Sequence, residues 1–147
     1  MTGRDLSLRR FSGYAMKRAF NQVQADLNAT LAPHGLRLVT FSALCLIDEN
    51  KGLKQSELAQ ILGVERPNMV LIVDELDSAD LIVRDRSTED RRAYELRLTE
   101  QGEKVLAAAS AAAQGHDARM TAGITDDVRE TLVTALWRIE ANGRQRD

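Results

Sequence analysis

One stretch constrains the fold more than any other: "QSELAQILGVERPNMVLIVDEL", residues 55 to 76. Two helical runs meet there at Gly63, and neither is long enough to stand alone. Two short helices that cross steeply need a small residue at the crossing, a turn that accepts positive φ, and apolar residues on both inner faces. Ala59 is the small residue and Gly63 supplies the turn. Leu58, Leu62, Val64, Met69, Ile72, Val73 and Leu76 form the inward set. Pro67 falls in the first turn of the second helix, where a missing N–H does no harm. That leaves Glu65, Arg66, Asn68, Leu71 and Glu75 on the other faces.

Immediately afterwards the hydrophobic period changes. "LIVRD" (81–85) and "AYELRL" (93–98) are strand-like, and "RSTEDRR" between them is turn-forming, so the spacing predicts a β-hairpin. Arg84, Arg86, Arg91, Arg92 and Arg97 crowd this segment, although the chain as a whole has a net charge of −2. Anion binding therefore has to come from local clustering rather than from overall charge. A solvated charged turn is the plain alternative.

Helices are expected on both sides. Leu8, Phe11, Ala15, Ala19, Val23, Leu27 and Leu31 recur at helical spacing until Pro33, His34 and Gly35 end the run. A second helix is expected over Thr40–Glu49, with Phe41, Leu44, Cys45 and Ile47 facing inward. Thr99 is placed to cap a helix running to about Met120, with room for a bend at Gly115. Thr125-Asp126-Asp127 opens a last helix that carries Val128, Leu132, Leu136 and Ile139 on one face. The fold class is thus mainly α with a small β-hairpin wing. Residues 39–98 are expected to form the winged helix-turn-helix, and residues 1–38 and 99–147, whose long apolar stripes a monomer would struggle to cover, a helical dimerisation region, all in one compact unit.

A hairpin after the second helix of such a pair is a wing, and its arginines can reach a minor groove or its phosphates. The start of that second helix is the part suited to a major groove, where Arg66 can pair with guanine and Asn68 with adenine. The candidate DNA contacts are Gln55 and Ser56 on the first helix, and Arg66, Pro67 and Asn68 on the second. Arg84, Arg86, Asp90, Arg91 and Arg92 on the hairpin complete the set. Asp90 is expected to hold the Arg92 guanidinium extended.

These residues resemble the MarR family of winged helix-turn-helix transcription regulators. "SELAQILGVERPNMVLIVDELDSADLIVRDRSTEDRRAYELRLTEQG" (56–102) is similar to that family's signature, including the D-x-R wing motif as Asp90-Arg91-Arg92 and "LT-x-x-G" as Leu98 to Gly102. Where the family has a glycine after the second helix, this chain has Asp80, which tolerates the left-handed region better than most residues. The resemblance implies a homodimer that binds an inverted-repeat operator in double-stranded DNA, with half-sites roughly 10 bp apart, acting as a repressor. It also implies release by a small aromatic, anionic effector. "RPNM", "DRRAY" and "H-D-x-R" (116–119) are similar to members that sense hydroxycinnamate-type acids or their coenzyme A thioesters. The candidate effector pocket comprises Tyr14, Arg18, Phe41, Cys45, His116 and Arg119.

Other functions find less support. One cysteine permits no intramolecular disulfide and no metal cluster. No catalytic constellation, cofactor motif, signal peptide or membrane-length apolar run is evident, so a cytoplasmic non-enzyme without cofactor or metal is expected. Two alternatives stay open: a winged helix used for protein–protein contact, and thiol-based redox sensing through Cys45.

Overall fold

The computed structural model describes residues 4–145. Six helices and one antiparallel hairpin follow in the order α1 (Ser12–Leu31), α2 (Leu38–Glu49), α3 (Gln55–Leu62), α4 (Arg66–Ser78), β1 (Ile82–Arg86), β2 (Tyr94–Leu98), α5 (Glu100–Met120) and α6 (Asp126–Arg144). The expected helix from Leu8 is divided. Residues Leu8–Arg10 form a 3-10 turn, Phe11 is extended, and α1 starts only at Ser12. The second helix begins two residues earlier than Thr40, at Leu38, because the Thr40 hydroxyl accepts the Arg37 N–H at 2.9 Å and so tightens the first turn.

Residues up to His116 make one compact unit and Asp117 onward another. In the first, Leu31, Leu44, Ile47, Leu58, Met69, Val73, Leu76, Ile82 and Leu96 are wholly or almost wholly buried and form the centre of the core. The inward set of the helix pair is largely confirmed. Leu58, Met69, Ile72, Val73 and Leu76 are buried, while Leu62 and Val64 sit half-buried at its edge. Ala59 is buried at the crossing, and Gly63 adopts φ +62 as the turn requires.

Two junctions fix the hairpin to this core. Asp80 sits in the left-handed region at φ +58, the turn anticipated for the position where the family has glycine. The Thr99 hydroxyl donates to the Asp80 carbonyl at 2.6 Å and accepts the Gly102 N–H at 2.8 Å, so one side chain caps α5 and fastens it to the end of α4. Gly102 lies against the Leu81 carbonyl so closely that a Cβ there would come to 2.0 Å from the oxygen. β1 pairs with β2 from Ile82↔Leu98 to Arg86↔Tyr94. A third segment joins them: Lys54 bridges Glu95, and the Leu96 N–H donates to the Leu53 carbonyl at 2.9 Å.

α5 is helical through Gly115 with no break in its assignment. In the second unit, Thr125 stands at the N-cap of α6 with extended backbone, but its side chain makes no capping bond, contrary to expectation. Arg129 instead ties the first turns of α6 to Asp117. Among the described residues no single helix is long and apolar enough to cross a membrane.

Candidate nucleic-acid interface

The chain places the N-terminal turn of α4 beside the hairpin. A groove of about 430 Å³ is lined by Gln55, Ser56, Arg66, Asp90 and Arg92 among the candidates, together with Lys54, Ala59, Met69, Val70, Ala93 and Tyr94. Five residues spread over nearly forty positions of sequence thus share one depression. Pro67 and Asn68 are exposed on the same helix turn without lining it.

The arginines divide into two groups. Arg66, Arg91 and Arg92 are exposed, and their guanidinium groups make no hydrogen bond or ion pair with the described residues. They are cations held ready for an external anion. Arg84, Arg86 and Arg97 are engaged internally. Arg84 pairs with Asp74 and, at 3.3 Å, with Asp77, both on α4. Its Nε is buried with no hydrogen-bond partner, so this guanidinium braces strand against helix instead of facing outward. Arg86 donates to the Arg91 carbonyl at 3.1 Å and lies 5.7 Å from the centroid of the Tyr94 ring. Arg97 pairs with Asp85 at 3.1 Å across the two strands.

Asp90 does not hold the Arg92 guanidinium as expected from the sequence. Its Oδ1 accepts the backbone N–H of Arg92 at 2.9 Å. An aspartate two residues upstream closes an Asx turn more readily than it reaches the end of a long side chain. Ser87, which sequence reasoning passed over, completes the tip. It is 3% exposed, and its hydroxyl accepts the N–H groups of Glu89 and Asp90, both at 3.3 Å. The Ser-x-x-Asp spacing at the mouth of the turn was the available signal. Lys54 was also missed. Its backbone N–H is held by the Glu57 carboxylate at 2.8 Å as α3 begins, which sets its side chain at the groove edge.

The acids on α4 are matched by cations. Asp74 and Asp77 are paired with Arg84, and Glu75 with Arg37 from the start of α2. The helix therefore has an unpaired arginine in its first turn, and in its second half three carboxylates set against two guanidinium groups.

Comparison with known proteins agrees with this geometry. The sequence pattern of the MarR family matches residues 36–94. A protein assigned to regulation of the hcr operon of Thauera aromatica is 34% identical over 131 residues, spanning 86% of this chain and 77% of that protein. The chain belongs to the MarR family. It is a MarR-family transcriptional regulator with a winged helix fold, and not an enzyme. Two solved structures of the transcriptional repressor CouR are similar throughout. The one bound to a 23-mer DNA duplex has a TM-score of 0.89 at 38% identity and covers 95% of this chain and 99% of its own. The one bound to p-coumaroyl-CoA has a TM-score of 0.82 at 37% identity and covers 95% and 97%.

The candidate effector residues of this MarR-family chain are more dispersed. The Tyr14 hydroxyl donates to Asp5 at 2.7 Å, a bond that raises the phenol's pKa and, with Arg9, lowers that of the carboxyl. Arg18 lies in a shallow cavity on α1 with Arg9, Ala15, Ala19 and Gln22. Phe41 and Cys45 are half-buried against the core. Burial pushes the Cys45 thiol above its ordinary range, and the Glu49 and Asp48 charges add to the shift, so its reactive thiolate is disfavoured. His116 is buried, with Nδ1 2.6 Å from the Asp26 carboxylate. Arg119 is exposed in the second unit.

Proposed function

We propose that this regulator is a homodimeric repressor that binds an inverted-repeat operator and releases it when an aromatic acyl-coenzyme A thioester binds. The observation that carries the DNA reading is the shared groove: unpaired Arg66 from the first turn of α4 and unpaired Arg92 from the hairpin line one depression with Gln55 and Ser56. In this reading α4 enters a major groove by its first turns, with Arg66 and Asn68 toward base edges, while Arg91 and Arg92 address phosphates or the neighbouring minor groove.

Dimerisation is supported by apolar surface that one chain leaves uncovered. Val128, Leu132, Leu136 and Ile139 form one face of α6 and are each more than a third exposed, and Trp137 beside them is 67% exposed. A second copy is the natural cover for such a stripe. The thioester reading is supported by the CouR structure with p-coumaroyl-CoA at 37% identity. Within the first unit, Arg18 is assigned to an anionic group of the ligand, Tyr14 and His116 to its polar aromatic end, and Phe41 and Cys45 to an apolar wall.

Fluorescence anisotropy of the full-length protein on duplex from its own promoter region tests this. The logarithm of affinity falls steeply with the logarithm of salt concentration. Arg66→Ala relaxes preference at one base pair by about 1–3 kcal/mol, whereas Arg92→Ala weakens all sequences evenly. p-Coumaroyl-CoA releases the duplex, and p-coumarate or coenzyme A alone does so less well. Binding that ignores salt and survives both substitutions favours a protein-contact role instead.

A further inference from the structure

The outward face of α4 is apolar between its polar residues. Leu71 is 67% exposed and Val70 43% exposed, and Pro67 precedes them on the same side of the helix. The buried residues of this helix are Met69, Ile72, Val73 and Leu76, so Val70 and Leu71 have no part in the core. Val70 lines the groove shared by Arg66 and Arg92, which makes the stripe continuous with the proposed DNA-contacting surface. Burying such branched aliphatic side chains against an apolar partner is favourable, and these two stand within one to two turns of the unpaired Arg66.

In a major groove only one such partner exists, the C5-methyl group of thymine. We infer that Val70 and Leu71 are specificity-determining residues that read thymine methyl groups next to the base pair addressed by Arg66. The inference rests on the DNA reading above and adds to it the class of base recognised. The paired acids of α4 support the same placement. Asp74, Glu75 and Asp77 are all ion-paired, to Arg84 and Arg37, which cuts three negative charges to a net one and lessens the repulsion between the helix's second half and phosphates. Each half-site then contains at least one thymine whose methyl is buried against α4.

The test works without a defined operator. A randomised duplex library is selected on the full-length protein, and the best-bound duplex is resynthesised with deoxyuridine replacing each thymine in turn. Deoxyuridine keeps base pairing and removes only the methyl. At one or two positions per half-site the wild-type protein is expected to lose about fourfold in affinity, the worth of one buried methyl at about 0.8 kcal/mol. That loss disappears in Val70→Ala or Leu71→Ala at the position each side chain covers, while binding of Arg66→Ala still responds to the methyl. Both residues are exposed, and the deoxyuridine series on the wild-type protein needs no variant to fold. If every deoxyuridine duplex binds as tightly as its thymine parent, or if the methyl effect persists unchanged in both alanine variants, the inference is overturned and DNA recognition stands. If the library yields no bound duplex, the DNA reading itself falls, and this inference with it.

Discussion

The carboxylate of Asp90 accepts the backbone N–H of Arg92 at 2.9 Å, so it shapes the wing tip and leaves the arginine's charge free. Asp90→Ala should then weaken DNA binding by about 1 kcal/mol through loss of loop order. The loss should persist when Arg92 is already alanine, because Arg91 is presented by the same turn. Asp90→Asn, which keeps the acceptor oxygen, should bind nearly as well as the natural chain. Affinities of these variants on one duplex decide this. A carboxylate acting on the guanidinium would instead show no effect in the Arg92→Ala background.

Arg84 joins β1 to two acids of α4, and its removal acts on both stability and binding. Its pairs with Asp74 and Asp77 are half-exposed, so the stability lost in Arg84→Ala should be modest, about 1 kcal/mol, visible as a small fall in the denaturation midpoint. DNA affinity should fall by more than that stability loss accounts for, since two unpaired carboxylates then face the duplex. Asp74→Asn with Asp77→Asn in the same chain should restore much of it.

Gly102→Ala places a methyl within 2.0 Å of the Leu81 carbonyl oxygen, a backbone atom that cannot step aside. A destabilisation of about 2–4 kcal/mol is expected. In a thermal melt this appears as a fall of roughly 4–16 °C.

Cys45 provides a pH prediction. Burial raises its pKa above the unfolded value, so the thiol's contribution to stability is intact below the unfolded pKa and is lost as pH rises through the folded one. Stability should thus decline on the alkaline side more in the natural chain than in Cys45→Ala. At a mildly alkaline pH of about 8, just below the ordinary thiol pKa, iodoacetamide should label Cys45 far more slowly than free cysteine, as read by intact mass. Dilute peroxide should leave DNA binding unchanged.

Local physics made much of this fold legible. α3 occupies Gln55–Leu62 and α4 begins at Arg66 as the periodicity predicts, and Gly63 and Asp80 take the left-handed conformations their positions demanded. Thr99 caps α5 because a hydroxyl three residues before an N–H is a sequence-near relationship. The roles of the wing arginines were not legible in the same way. Whether Arg84 faces DNA or Asp74 depends on how β1 lies on α4, and no local pattern around Arg84 states that. The bridge made by Leu53 and Lys54 was not legible for the same reason, since its partners are Glu95 and Leu96, far along the chain. The arginine-rich segment showed a cluster of cations but not which of them pair within the chain.

That bridge couples parts of the chain that look independent. It follows directly on the turn at residues 50–52, and side chains of extended residues alternate between faces. A residue inserted between Leu53 and Lys54 would break this alternation and set the Leu53–Leu96 bond against the Lys54–Glu95 bridge. The uninterrupted step from Leu53 to Lys54 therefore helps to seat the hairpin on the core.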